Sequence, residues 1–536
     1  MSSATSNGRS LNDSRIFWGS FIALVTCAFG FVVRTQIIDT WATEFSLSET
    51  EKGNILGVGF WPFAFSIFLF SLVIDKLGYG RVALASFILH VVSTTMLVTA
   101  KSYEMLFWGT FLFALSNGTV EAYINPVVAA MYPREKTKWL NILHAGWPGG
   151  IVLAGILAIF MGDMQWQYKV ALTYVPTAIY GVLLFGTRFP VSERVAAGVT
   201  YREMLQDFGA LGAFVATYLV ALQVFGDIIP NFEWFGETVT ERIQEQRFLW
   251  SLVPSVIVAA AFGIFCGSFG RPIYFLLLLI MLPLATTELG IDSWITSLME
   301  PAMRAEDYNP GWVLVYTALI MTLLRSFAGP IVHRMSPLGL LVISCILAII
   351  GLNAFSRAEG LAFIFIAATI YGFGKSFFWP TMLGIVAERF PKGGALTLNT
   401  VGGCGMLGLS VGMVFLGNIQ DRRVDTELLA YDKANNTALH ATYIEEKPRK
   451  SVLGEYRALD QEKIKAAPEA DKKQIEAVQN DAKKNALSTA SIFPVIMLVA
   501  YIGLWLYFRS QGGYKAEQLV ATDSAGTSPP APAHTH

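Results

Sequence analysis

The sequence predicts an all-α integral membrane protein of about fourteen transmembrane helices, arranged as two six-helix bundles with two additional central helices. Three observations carry this. Of 536 residues, 54% are hydrophobic and only 15% charged, against roughly 25% charged in an ordinary soluble domain. Apolar runs of about 20 residues, the length needed to cross a bilayer, recur along the whole chain. Short fragments also repeat in order at a nearly constant offset.

The runs fall at 16–38, 54–74, 82–100, 104–131, 138–160, 169–189, 209–229, 248–269, 272–299, 312–333, 337–355, 361–387, 394–418 and 489–509. The first is about twice the length of a signal-peptide core and is expected to stay as a transmembrane helix. The resulting plan is a polar tail at 1–15, a first bundle at 16–189, and a linker at 190–270 holding the two extra helices. Helices one to five of the second bundle follow at 271–418, then an extracytoplasmic polar insert at 419–488, the last helix at 489–510 and a low-complexity tail at 511–536 that is expected to be disordered. The insert reads as a solvated cap in which DKKQIEAVQNDAKKNA forms a polar helix.

Orientation follows from Lys and Arg in the short loops. Arg15, Lys76, Arg81, Arg134, Lys136, Lys138, Arg188, Arg271, Arg334, Arg389 and Arg509 gather on one face. More than twice as many basic residues lie there as opposite, which places both termini in the cytoplasm of a plasma or bacterial inner membrane. The net charge of −1 and the absence of a basic block exclude a nucleic-acid surface. Cys27, Cys266, Cys345 and Cys404 sit inside apolar runs without metal-ligand spacing, so neither metal nor cofactor is expected. Nucleotide loops and hydrolase motifs are missing, which argues against an enzyme. A channel is disfavoured because no filter repeats around a pore.

The internal repeat is carried by two matches. IDTW begins at Ile38 and IDSW at Ile291, 253 residues later. In YPREKTKWLN, Pro133 precedes Asn141 by eight residues, and in FPKGGALTLN, Pro391 precedes Asn399 by the same eight. Each asparagine opens a Gly-rich helix. Parallel six-helix repeats around a midplane site are the architecture of major facilitator transporters.

The stretch from Phe45 to Gly80 resembles the first-loop-to-second-helix region of the major facilitator superfamily, and DKLGYGR resembles its cytoplasmic loop signature. Asp75, Gly78 and Arg81 carry that likeness, with Arg81 one position early. EAYINPVVAAMYPREKTKWLN is similar to the pattern of the fucose permease (fucose-galactose-glucose:proton symporter) family at Glu121, Asn125, Pro126, Pro133 and Asn141. That resemblance implies that Glu121 binds sugar and exchanges a proton. The family's first-helix aspartate is replaced here by Thr35, next to Arg34, and an arginine there looks more like organic-anion members of the superfamily.

Charge inside a bilayer is expensive and usually faces a partner or a water-filled cavity. By helix rise, Arg34 lies about 27 Å and Glu288 about 24 Å along repeat-related helices. They are expected to pair as an outer gate, with Asp39 and Asp292 above them near the outer interface. Deeper, Glu121, Arg325, Lys375, Asn117, Asn125 and Trp379 form a set able to hold a polyhydroxylated solute or, equally, a carboxylate. Asn141 and Asn399 are divided between helix–helix hydrogen bonding and substrate contact. His90 and His144 are weaker candidates, each readable as a satisfied packing residue. The expected function is secondary active transport of a small polar solute by a monomer, first a proton-coupled sugar, alternatively an organic anion. A non-transporting sensor or scaffold of the same fold is the reading of another class.

Overall fold

The computed structural model describes residues 10–519 other than 163, 232–235, 305, 359 and 452–453; of the expected tails, 1–9 and 520–536 lie outside these. The first bundle comprises α1 (Leu11–Glu44), α2 (Glu51–Leu77), α3 (Tyr79–Val98), α4 (Tyr103–Met131), α5 (Lys136–Met161) and α6 (Tyr174–Leu184), the last preceded by the short helix Trp166–Ala171. α7 (Tyr201–Gly226) and α8 (Arg247–Cys266) are the additional pair. The second bundle is α9 (Pro272–Gly290, continued by Ile291–Arg304), α10 (Gly311–Ser326), α11 (Pro337–Ser356), α12 (Gly360–Arg389), α13 (Pro391–Asn435) and α14 (Glu469–Ser510). Among the described residues, eleven helices are long and apolar enough to cross a membrane.

Several spans are interrupted, and local sequence explains where. α2 opens on a capping box, in which Ser48 and Glu51 exchange hydrogen bonds, so two otherwise orphan N–H groups are satisfied. It ends at Gly78, whose φ of 82° suits glycine. α5 breaks at His144–Ala145 just before Gly146-Trp147-Pro148, and α12 breaks at Ser376–Phe377 just before Phe378-Trp379-Pro380. α9 contains a π-helical turn at Thr286–Gly290 that carries Glu288. Such turns are frequent at functional sites.

Exposed Leu84, Ile88 and Val92 on α3 and Val253, Val256, Ile257, Ile264 and Phe265 on α8 form apolar outer faces suited to lipid. α7 packs on α8 and against α13. It is broken at Gly209, where φ is 61° and an added Cβ would lie 2.0 Å from the Gly270 nitrogen. Ala210 and Leu211 there donate to the carbonyls of Ser268 and Phe269, at 3.1 and 3.0 Å. The extra pair is thereby stitched to the start of α9.

The insert differs from the expected solvated cap. α13 runs without a break past 418 to Asn435, and Glu469–Ala490 leads through Ser491 into Ile492–Ser510. Val424, Leu428, Leu439, Ile444, Leu459, Ile475 and Val478 form an apolar core between them, beside a hairpin of β1 (Arg449–Ser451) and β2 (Gly454–Tyr456). The polar helix is present, but its apolar stripe is buried in this core.

Small residues set the closest helix contacts, as expected where apolar lipid supplies no drive for association. A Cβ at Gly118 of α4 would lie 1.9 Å from the Phe63 carbonyl oxygen of α2. Gly118→Val is expected to destabilise the detergent-solubilised protein by about 2 kcal/mol or more, measured as a lowered unfolding midpoint. An unchanged midpoint would contradict this packing.

Candidate functional site

A proline lacks an N–H, so the carbonyl four residues before it in a helix loses its donor. Three such carbonyls, and a fourth left free by a helix end, lie where the bundles meet, and each accepts from a side chain. Asn399 Nδ2 donates to the Ala122 carbonyl, left free by Pro126, at 2.8 Å. Lys136 Nζ donates to the Ala387 carbonyl, left free because the helix ends at Arg389, at 3.0 Å. Arg325 fills the other two, with Nη1 3.1 Å from the His144 carbonyl (Pro148) and Nε 2.6 Å from the Ser376 carbonyl (Pro380). Three of these four bonds cross between the bundles. An unmet carbonyl in an apolar interior costs several kcal/mol, so the donors hold the bundles in register.

Beside Arg325 is a small cavity of about 20 Å³, room for about one water. Phe63, Glu121, His144 and Trp147 line it from the first bundle, and Glu288, Leu289, Arg325, Trp379 and Met406 from the second. Arg325 Nη2 pairs with Glu288 Oε1 at 2.6 Å. Glu288 Oε2 accepts the Trp379 N–H at 2.9 Å, capping the resumed α12. Glu121 meets an amide instead of a cation: Asn125 Nδ2 donates to its Oε2 at 2.6 Å. Asn125 Oδ1 is 2.9 Å from His144 Nε2.

The structure thus brings Glu121, Asn125, Arg325 and Trp379 together. Other expectations are corrected. Arg34 and Glu288 do not pair, because Glu288 is taken by Arg325. Arg34 is buried against Gly59 of α2 and the Phe31 ring and makes no ion pair among the described residues. Asp292 is buried rather than interfacial and forms an ion pair with Lys375, which also donates to Thr317 at 3.3 Å. Lys375 therefore lies outside the cavity lining. Asp39 is exposed and pairs with Lys52 at 2.8 Å. Asn117 turns away to His90, at 2.9 Å, whose other ring nitrogen meets Tyr180 at 2.9 Å; His90 is a satisfied packing histidine.

The mouth on the side of the described termini is a second cluster. Asn141 Nδ2 donates to Thr381 Oγ1 of the second bundle at 3.3 Å. Asn141 and Asn399 are repeat-related and both reach across, each with a buried Oδ1 unpartnered. Thr137 Oγ1 donates to Glu388 at 2.5 Å, and Tyr514 of the C-terminal segment donates to the same carboxylate at 2.9 Å. Asp75 pairs with Arg194 at 2.5 Å, whereas Arg81 is exposed and only reaches the Leu77 carbonyl at 3.4 Å. Lys136 pairs with Glu193 at 2.6 Å. The hydrogen bond from Lys138 holds the Glu135 carboxyl below its ordinary range. Sequence reasoning missed His144 as a junction, Arg194, Lys136, Glu193 and Glu388. Proline spacing was a usable signal for the carbonyl that His144 presents, but nothing in the local sequence pointed to Arg194.

The family model described as "Major Facilitator Superfamily" matches residues 19–305. The chain belongs to that superfamily of membrane transporters. In fold it is similar to the proton:xylose symporter XylE bound to 6-bromo-6-deoxy-D-glucose, at TM-score 0.57 and 13% identity, covering 93% of this chain and 96% of that one. It is similar also to the Escherichia coli fucose:proton symporter FucP, at 0.51 and 11%, covering 89% and 98%. A third is the human organic anion transporter MFSD10, at 0.52 and 13%, covering 76% and 93%. No curated protein matches the chain in sequence.

Replacing both Asn141 and Asn399 by alanine is expected to weaken closure on the side of the termini. In a cysteine-free background, labelling of Met406→Cys by an impermeant maleimide applied from the side of the termini should rise at least threefold, since each lost cross-bundle hydrogen bond is worth about 1 kcal/mol. Equal labelling would count against these amides as closure contacts.

Proposed function

We propose that the chain is a proton-coupled symporter of a neutral, polyhydroxylated solute of the sugar class, working by rocking one bundle against the other. One observation carries the choice of substrate. Arg325 and Lys375, the cations that would favour a carboxylate, are each neutralised by an acid of their own bundle. Glu121 faces only an amide. A carboxylate so placed can accept hydroxyl donors from a sugar and can gain or lose a proton without breaking an ion pair. Phe63, Trp147 and Trp379 add apolar faces for a sugar ring. Two of the similar solved proteins are sugar:proton symporters, which supports the reading by analogy of fold. The protein is proposed to act as a monomer in a plasma or bacterial inner membrane with both termini in the cytoplasm.

A second reading is organic-anion transport, favoured by Arg34, a buried cation without an acidic partner among the described residues. A third, a sensor or scaffold, predicts no accumulation of any solute.

In proteoliposomes with an imposed pH gradient, accumulation of neutral hexoses over hexuronates is the expected result, and the reverse preference selects the second reading. Glu121→Gln is expected to abolish gradient-driven accumulation while sparing solute exchange. Accumulation undiminished in that variant refutes proton coupling through Glu121.

A further inference from the structure

His144 occupies a position that no motif assigns. It closes the helical segment Lys136–Leu143, with its N–H bonded to the Leu140 carbonyl at 2.9 Å. Its own carbonyl has no intrahelical donor because Pro148 stands four residues on. Arg325 of the opposite bundle fills it at 3.1 Å, with the same guanidinium 2.6 Å from Glu288. The His144 ring turns the other way, with Nε2 2.9 Å from Asn125 Oδ1.

The orientation of that amide is set by its surroundings. Asn125 Nδ2 faces two acceptors, the Glu121 carbonyl at 3.2 Å and its carboxylate at 2.6 Å. Oδ1 must therefore face His144, whose Nε2 carries the hydrogen. An unbroken chain of hydrogen bonds runs from Glu121 through Asn125, His144 and Arg325 to Glu288, crossing from one bundle to the other at His144.

We propose that His144 is a positioning residue that ties proton occupancy at Glu121 to closure of the two bundles, its ring holding Asn125 on the carboxylate and its proline-freed carbonyl receiving Arg325. This rests on the reading of Glu121 as the proton site. When the bundles separate, α10 withdraws Arg325 from α5 and the His144 carbonyl loses its partner. The break between Leu143 and Gly146 then has freedom to shift, and the hold on Asn125 slackens. Asn125 donation favours the carboxylate, so slackening favours the protonated acid. Glu121 takes that proton from cavity water and returns it there when the bundles close again; no other bond is made or broken. The remaining ionisable groups around this chain are Cys27 of α1, within electrostatic reach of Glu121, and His90 of α3, reached through Asn117. From the second bundle, Glu288 and Arg325 face it, with Asp292 and Lys375 behind them.

The test needs no substrate. In pH-difference infrared spectra of the reconstituted full-length protein, the protonated-carboxyl band of Glu121 is the one lost in Glu121→Gln. If no band is lost, the reading of Glu121 as proton site falls, separately from the role of His144. With the band assigned, His144→Leu is expected to move its midpoint upward by about one pH unit, the size of one lost charge-assisted hydrogen bond. His144→Gln, which can still donate to Asn125, should bring it most of the way back. Pro148→Ala keeps the ring and gives the carbonyl a permanent intrahelical donor, so the break cannot slacken and the midpoint should not rise. An unmoved midpoint in His144→Leu overturns the proposal, as does a raised midpoint in Pro148→Ala or an equal shift in His144→Gln and His144→Leu.

Discussion

In a water-poor, membrane-embedded interior every backbone carbonyl needs a donor, and a helix normally supplies it from four residues ahead. Pro126, Pro148 and Pro380 each cancel one such donor, the end of α12 leaves the Ala387 carbonyl without one, and side chains from elsewhere replace them. The junction of the bundles depends on this replacement. A carbonyl fixed in a helix is a rigid acceptor, so the donor that meets it fixes the relative position of two helices. Because most of these bonds cross between bundles, relative movement of the two must break them. The number of bonds is small enough for their loss on such movement to be offset, since each contributes only about 1 kcal/mol net.

The charges follow the same rule of partners. A buried ion pair is weak evidence for stability, but removing one member strands the other. Arg325–Glu288 and Lys375–Asp292 keep the second bundle locally neutral. Arg325 also directs its remaining donors at His144 and Ser376, so one guanidinium joins an ion pair, a helix break in each bundle and the wall of the cavity. The first bundle contributes Glu121, hydrogen-bonded to an amide, and this asymmetry between otherwise repeat-related halves places a carboxylate outside any ion pair on one side of the cavity. At the mouth on the side of the termini the linker residues Glu193 and Arg194 hold Lys136 and Asp75. The segment after α14 adds Tyr514 to Glu388, so closure there draws on pieces of chain outside both bundles.

The helices were legible because the bilayer imposes a length and an apolar composition that local sequence must satisfy. The two halves were legible because IDTW with IDSW, and Pro133/Asn141 with Pro391/Asn399, preserve order and offset. Glu121, Asn125, Arg325 and Trp379 were found since polar groups are conspicuous in apolar runs. The chain fixed their depth through a constant rise per residue. It did not fix which way each faced. The π-helical turn at Thr286–Gly290 changes the azimuth of Glu288 and brings it to Arg325 instead of Arg34. Burial of Asp292 beside Lys375 likewise depends on how α9 lies against α12, and the core of the 419–488 insert on α13 and α14 continuing beyond the bilayer as a pair. Sequence by itself determined the spans, their order and the identity of the polar groups, because these are properties of one segment at a time. Tertiary structure alone decided the pairings, because they depend on rotation and crossing of helices far apart in the chain.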